Sequence, residues 1–257
     1  MRTDGALPRP CTEPHWPARL ATAAAGLRAE DVSPFLVPTG VEARRSAVLI
    51  LLTDTEPTGD PSGGVSTGGV PSGGVSTGGV PSGGPSVLLL ERASTLRQHA
   101  GQIAFPGGAS DPGDADATAT ALREAAEEVG LDPGSVEVLA VWPQLHLSIT
   151  AFAVIPVLAR WHAPHRVTAV DPGEVARVAL VAVGALADPV NRFSVTLREG
   201  FTGPGFAVDG LFVWGFTAGL LDTLLRVGGW ERPWDRALRR PVPAALRTAA
   251  SPAIGDR

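Results

Sequence analysis

Three glutamates, Glu124, Glu127 and Glu128, stand at spacings of three and four in the segment REAAEEVG at residues 123–130. On an α-helix this spacing places all three carboxylates on one side, where like charges repel one another. The cluster therefore needs either bulk water or a cation. A solvated helix face meets the first condition. A hard divalent metal such as Mg²⁺ or Mn²⁺, which prefers oxygen ligands and is often shared with substrate phosphates, meets the second.

The residues around the glutamates predict a turn, an acidic loop and a helix, in FPGGASDPGDADATATALREAAEEVGL at residues 105–131. Asp114 or Asp116 can cap the N-terminus of this helix, and Gly130 can end it in a left-handed conformation. A narrow apolar stripe is predicted almost opposite the acids, formed by Leu122, Ala125, Ala126 and Val129. The helix is thus expected to be anchored by one face and to present its carboxylates on the other.

Gly107 and Gly108 form the turn before the acidic loop. Because glycine has no Cβ, their backbone can approach a ligand closely. A carbonyl from either glycine, together with two or three carboxylates, would suit Mg²⁺. A phosphate ester is the expected partner of such a site.

The segment REAAEEVGL at residues 123–131 resembles the second half of the Nudix box, R-E-U-x-E-E-x-G-U, in which U is an aliphatic residue. The first half of the box departs from this pattern. Five residues separate Gly108 from Asp114, which stands where the box has glutamate, and eight residues instead of seven separate Asp114 from Arg123. Ala125 is small for its aliphatic position.

A second resemblance precedes the box, in LLLERASTLRQHAGQIAFPGG at residues 88–108. It is similar to the signature of coenzyme A pyrophosphatase-type Nudix proteins, and Leu90 alone differs, standing where the signature has threonine. The agreeing positions are Arg92, Ala93, Arg97, Gly101, Phe105, Pro106, Gly107 and Gly108.

These resemblances imply a Nudix-type α/β/α sandwich with a mixed β-sheet, and a divalent-metal-dependent pyrophosphohydrolase that uses Mg²⁺ or Mn²⁺. The implied metal ligands are Glu124, Glu127 and Glu128, with Arg123 orienting the acids. The implied substrate-binding residues are Arg92, Arg97, Gly107 and Gly108. The implied substrate is coenzyme A or a thioester of it, cleaved to 3′,5′-ADP and (acyl-)4′-phosphopantetheine.

Two alternatives to this function stay open in the sequence. The first is hydrolysis of another nucleoside diphosphate derivative, such as ADP-ribose or NADH. The second is a Nudix-fold protein that binds such a nucleotide without cleaving it. The general base is open as well, with Glu124, Glu127 and Glu174 as candidates.

Glu174 lies in DPGEV at residues 171–175 and has two interpretations. Asp171, Pro172 and Glu174 fit the capping box of a helix. The apolar residues 175–183 favour a strand instead, which would leave Glu174 in a loop and free to reach the site.

Composition limits the partners. The net charge of −5 over 257 residues argues against a nucleic-acid surface and gives no reason to expect membrane binding. All 21 basic residues are arginine, so arginine must bind any phosphate. Cys11 is the single cysteine, which favours a reducing cytoplasm. We expect a soluble protein, and the sequence leaves a homodimer open.

The remaining pattern predicts an α/β or α+β class, because strands and helices alternate. A short helix is expected within residues 17–30, and a helix at 217–227 is expected to stop at Gly228 and Gly229. The predicted strands are 46–52, 86–92, 135–142, 150–161, 175–183 and 211–216. We expect three regions: an N-terminal extension at 1–43, a Nudix domain at 44–230 and a tail at 231–257. The segment 57–86, which contains the decad VSTGGVPSGG twice, is predicted to be a disordered loop.

Overall fold

The computed structural model describes residues 16–32, 43–54, 84–147, 152–196 and 202–247. Cys11 and most of the low-complexity segment 57–86 lie outside these ranges. No helix within them is long and apolar enough to cross a lipid bilayer.

The helices and strands of the described ranges alternate along the chain. The helices are α1 (Trp16–Ala24), α2 (Ala29–Val32), α3 (Ala117–Val129), α4 (Val183–Ala187), α5 (Gly215–Val227) and α6 (Ala244–Arg247). The strands are β1 (Arg44–Thr53), β2 (Ser86–Arg92), β3 (Ile103–Ala104), β4 (Gly107–Ala109), β5 (Val136–Val141), β6 (Leu145–Leu147), β7 (Phe152–Trp161), β8 (Val175–Ala182), β9 (Arg192–Thr196), β10 (Thr202–Val208), β11 (Leu211–Val213) and β12 (Arg239–Arg240). Short 3₁₀ turns at Pro133–Ser135 and Pro189–Asn191 lead into β5 and β9.

The larger sheet has eight strands and is mixed. Its main path runs β3-β2-β1-β7-β5, while β4 pairs with β1, β6 with β7, and β8 with β2. Strands β1 and β7 are parallel along their whole length, and the other pairs are antiparallel. The predicted mixed sheet is confirmed.

Strand β1 is apolar at successive positions because both faces of this sheet are covered. Leu49 and Leu51 pack with the buried face of α3, whereas Ile50 and Leu52 pack with α1 and α5 on the opposite side. A strand buried on both faces reads as a continuous hydrophobic run rather than an alternating one. The predicted α+β class and its helix–sheet–helix layering are therefore confirmed.

A second sheet of four strands, in the order β11-β10-β9-β12, was not predicted. Strand β10 has the sequence TGPGFAV, whose two glycines and proline are typical of a turn. It is a strand because β9 pairs along it at five positions, from Thr202 with Thr196 to Phe206 with Arg192. Tertiary pairing thus overrides local preference here.

The ends of several elements differ from the sequence prediction. The expected helix at 17–30 is two helices, α1 and α2, separated by a turn. The strand expected at 211–216 ends at Val213, and α5 begins at Gly215. Helix α5 does end where expected, at Val227 before Gly228.

Candidate active site

Helix α3 and strand β4 build the site between them. Asp116 caps α3 by accepting a hydrogen bond from the Ala119 N–H at 2.9 Å, and Gly130 ends it with φ of 71°. Both ends are as predicted. The buried stripe differs, however, because Ala121, Ala125 and Val129 enter the core while Leu122 and Ala126 are only partly covered. Helix α3 is thus turned about its axis relative to the prediction, so that Glu128 is on the side that faces the sheet.

Gly107 is required for β4 to lie against β1. Its φ is 155°, and a Cβ there would come within 2.3 Å of the Ala47 carbonyl oxygen and 2.7 Å of Val48 Cα. Gly108 lies directly against the carboxylate of Glu124 in α3, and a Cβ on Gly108 would force that flexible side chain to move. The glycine pair therefore holds backbone and carboxylate in direct contact.

Glu128 is the most buried acid of the site, with only 8% of its surface exposed. Its Oε2 accepts a hydrogen bond from the Gly107 N–H at 3.0 Å. Burial raises the pKa of Glu128 to about 7, against the lowering effects of that hydrogen bond and of Arg92, while Glu124 and Glu174 raise it further. A buried carboxylate with two acidic neighbours is an environment that favours a bound cation.

Glu124 faces the same glycine pair from one helical turn earlier. Burial raises its pKa, and the charge and hydrogen bond of Arg123 act in the opposite direction. Its Oε1 accepts from Arg123 Nη1 at 3.2 Å. Glu124 and Glu128 therefore converge on Gly107 and Gly108.

Arg123 connects the helix to the acidic loop. Its Nε and Nη2 donate to the two carboxylate oxygens of Asp114, each at 3.0 Å, and Nη2 also donates to the Ala109 carbonyl at 3.0 Å. The hydrogen bond to Asp114 is the main reason that the pKa of Arg123 is raised. A planar guanidinium is suited to this two-point contact.

Asp114 thus has a structural partner despite its shifted position in the box. The hydrogen bond from Arg123 holds its pKa well below the ordinary range. Thr120, which the sequence analysis did not identify, donates from its fully buried hydroxyl to Asp114 at 2.9 Å. Its place four residues after the Asp116 cap is the only sequence signal that could have pointed to it.

Glu127 lies apart from the other two glutamates. Its side chain is 59% exposed, and its Oε2 accepts from Arg123 Nη1 at 3.0 Å. Within the described ranges, no group of three or more histidine, cysteine, aspartate or glutamate side chains is arranged as a complete metal site. Two carboxylates, Glu124 and Glu128, are in place, and their all-oxygen chemistry fits a hard divalent cation.

Arg92 and Glu174 are further charged neighbours of Glu128. Both charges act on the pKa of Glu128, and the Glu174 carbonyl accepts a hydrogen bond from the Ala93 N–H at 2.8 Å. Arg92 Nε is buried without a hydrogen-bond partner. Glu174 lies in a turn before β8, so of its two interpretations the loop is correct and no helix begins there.

Arg97 is exposed in the turn between β2 and β3. His99, two residues later, adopts φ of 57°, and its Nδ1 lies 3.0 Å from Gln102 Oε1. The structure therefore brings Arg92, Glu124, Glu128 and Glu174 together, and it leaves Arg97 and Glu127 at the periphery.

The fold and site together define a helix–sheet–helix domain with carboxylates held beside the glycine pair of β4, which is a strand where the sequence predicted a turn. Residues 73–198 match the family model of the NUDIX domain. This part of the chain is a Nudix domain, the family that the box and the preceding signature indicate.

The relatives of this chain include uncharacterized Nudix hydrolases named NudL. Over 74 residues the chain is 55% identical to NudL of Cronobacter sakazakii and 54% identical to NudL of Escherichia coli. The matched stretch is 29% of this chain and 38% of each relative. The chain thus spans little more than a third of the length of these relatives.

Among solved structures, the chain is similar to the Nudix hydrolase RenU of M. smegmatis. The TM-score is 0.43 with 19% identity, covering 76% of this chain and 91% of that chain. It is also similar to the NUDIX domain of Shewanella oneidensis NrtR, whose cocrystal structure contains ADP ribose. That similarity has a TM-score of 0.35 and 17% identity, covering 63% of this chain and 82% of that chain.

Proposed function

We propose that this chain is a divalent-metal-dependent pyrophosphohydrolase of nucleoside diphosphate derivatives, and that its substrate is coenzyme A or a thioester of coenzyme A. The products would be 3′,5′-ADP and (acyl-)4′-phosphopantetheine. We assign the activity to residues 44–230. The observation that carries the proposal is the convergence of Glu124 and Glu128 on Gly107 and Gly108 of β4, beside Arg92.

The proposed metal ligands are Glu124, Glu127 and Glu128, and the metal is Mg²⁺ or Mn²⁺. Glu124 and Glu128 already face the glycine pair, whereas Glu127 is ion-paired with Arg123. When bound, the metal offsets the negative charge of the diphosphate and activates water for attack on phosphorus. The Gly107 N–H and the Arg123 guanidinium hold the carboxylates in position for it.

Glu174 is the best candidate for the general base. Its carboxylate is in an exposed turn, close enough to Glu128 to affect the pKa of that residue. Glu124 and Glu127 remain alternatives, but each already accepts a hydrogen bond from Arg123. In the proposed reaction, water adds to one phosphorus, the bridging P–O bond breaks, and Glu174 takes the proton from the water.

Arg92 is the proposed phosphate-binding residue of the site, with Arg97 as a second contact. The buried Nε of Arg92 has no hydrogen-bond partner, which is consistent with a place in the site where an anion is expected. Coenzyme A carries a 3′-phosphate besides its diphosphate, so more than one arginine is expected to contact it. The coenzyme A signature around Arg92 and Arg97 favours this substrate over ADP-ribose or NADH.

A substrate panel tests the proposal. The purified protein is incubated with Mg²⁺ or Mn²⁺ and with coenzyme A, ADP-ribose or NADH, and the products are identified by mass. Cleavage of coenzyme A to 3′,5′-ADP, abolished by a chelator, is the expected result. Preferential cleavage of ADP-ribose or NADH would favour the alternative substrates. Tight binding of a panel member without cleavage would favour a non-catalytic protein.

We place this activity in the cytoplasm, because a chain with one cysteine forms no intramolecular disulfide. No nucleic acid or membrane takes part in the proposed reaction. The proposal holds for a monomer and equally for the homodimer that the sequence leaves open.

A further inference from the structure

Residues 231–247, which we call the C-terminal strap, lie against the second sheet. In this strap, β12 pairs in parallel with β9, matching Arg239 to Ser194. The Ser194 N–H donates to the Leu238 carbonyl at 2.8 Å, and its hydroxyl donates to the Arg236 carbonyl at 2.7 Å. Backbone bonds therefore fix the path of the strap.

A buried arginine holds the first half of the strap. Arg192, at the start of β9, is fully buried and forms an ion pair with Asp222 of α5. Its guanidinium lies 4.6 Å from the ring centre of Trp234, and Arg236 covers the same ring at 5.0 Å. Such stacked cations stabilise an aromatic ring in place.

The second half of the strap reaches the loop between β2 and β3. Val242 is buried with Phe193 and Val195, and Leu246 of α6 packs against this cluster. Leu246 also covers Gly101, because a Cβ on that glycine would come within 3.3 Å of Leu246 Cδ2. Gly101 adopts φ of 67°, so any other residue there would be strained as well.

Gly101 in turn fixes Arg92. The Gly101 N–H donates to the Arg92 carbonyl at 3.1 Å, and the Arg92 N–H donates to the Gln102 carbonyl at 3.0 Å. These two bonds close the base of the loop at residues 93–102, which carries Arg97. A path of direct contacts thus runs from Leu246 through Gly101 to the arginine beside Glu128.

We propose that Leu246 is a positioning residue, which presses the 93–102 loop into place so that Arg92 and Arg97 face the substrate. Gly101 is one of the fixed positions of the signature. In this arrangement it is the point where the strap contacts the loop, and not a point where a ligand approaches. The inference rests on the proposed function for the identity of the substrate. The positioning of the loop by Leu246 does not depend on the proposed function.

The test compares Leu246→Ala with Leu238→Ala in the full-length chain. Leu238 is also a strap leucine, but its surface is 41% exposed and its backbone carbonyl accepts a hydrogen bond from Ser194 of β9. For Leu246→Ala we expect KM for coenzyme A to rise about three- to tenfold with kcat nearly unchanged, because ground-state binding is lost. Leu246→Met, which conserves volume, should restore KM.

Hydrogen exchange of the backbone amides gives a readout that needs no activity. Amides of residues 93–102 should exchange faster in Leu246→Ala, by about threefold or more, and stay unchanged in Leu238→Ala. Equal exchange and equal KM in the two alanine variants would overturn the inference. If the unmodified protein cleaves no member of the substrate panel, the proposed function fails, and the exchange comparison alone decides whether Leu246 holds the loop.

Discussion

Glu128 is the residue on which the proposed site depends most. It is nearly covered by protein, accepts one backbone hydrogen bond, and has Glu124 and Glu174 as acidic neighbours. Without a cation this arrangement is unfavourable, as the pKa of about 7 indicates. A function that supplies positive charge explains why an acid is buried here, whereas a solvated helix face does not.

Glu128 is proposed as a metal ligand and Glu174 as the general base, so substitutions of these two residues should cause different defects. In Glu174→Gln we expect kcat to fall about 10²- to 10⁴-fold, because the acceptor of the water proton is removed. Binding of Mn²⁺, followed by calorimetry, should stay within about twofold of the unmodified protein, since Glu174 is not a proposed ligand. Both kcat and the Mn²⁺ affinity are measured on the same preparation of the Glu174→Gln protein.

Glu137→Gln is the matched control for this variant, because Glu137 is an exposed glutamate on β5, outside the site. It should leave both quantities unchanged. A Glu174→Gln enzyme with normal kcat would assign the base to Glu124 or Glu127 instead. A large loss of Mn²⁺ affinity would make Glu174 a ligand.

The Asp114–Arg123 pair joins the acidic loop to helix α3, the two elements that hold the site. Helix α3 follows from the sequence alone, since its cap at Asp116 and its end at Gly130 are local signals. The burial of Glu128 could not be predicted, because it depends on where β4 packs. The same holds for β10, a glycine-containing segment that becomes a strand only by pairing with β9.

Replacement of Asp114 by asparagine should lower the free energy of unfolding at neutral pH. The folded-state pKa of Asp114 is below its ordinary value of about 4, so its ion pair stabilises the fold fully above that pH. This stabilisation is lost as pH falls toward the folded-state pKa. The difference in free energy of unfolding between Asp114→Asn and the unmodified protein should therefore become smaller at acidic pH. Urea unfolding at neutral and acidic pH measures this difference.

Asp111→Asn is the comparison for that experiment. Asp111 also faces Arg123, but at 3.9 Å and with 66% of its side chain exposed, so its loss should have little effect. A stability gap for Asp114→Asn that is the same at neutral and acidic pH would show that the ion pair is not its cause. Equal unfolding midpoints at neutral pH would show that the pair contributes nothing.

The low-complexity insertion connects the end of β1 to the start of β2, two strands that pair with each other. Thr53 at the end of β1 lies opposite Ser86 at the start of β2. Because the cost of closing a loop grows only logarithmically with its length, a long connection here is compatible with one domain. The composition of this segment predicts disorder, and its pairing context explains why the insertion does not interrupt the sheet.

Deletion of residues 60–84 should leave the activity within about twofold of the full chain and raise stability slightly, because a shorter loop loses less entropy on closure. Residues 54–59 and 85 then remain to join the two strands. Steady-state kinetics on coenzyme A and a thermal unfolding curve measure both effects. A large loss of activity with an intact fold would give the insertion a role in the site.

The proposed metal site is tested by coenzyme A hydrolysis with the Glu128→Gln variant beside the unmodified protein, with Mn²⁺ in excess. The unmodified protein should release 3′,5′-ADP, and the variant should lose this activity by about 10³-fold or more while its circular dichroism and unfolding midpoint show a folded protein. Release of 3′,5′-ADP at an undiminished rate by Glu128→Gln would contradict the proposed metal site.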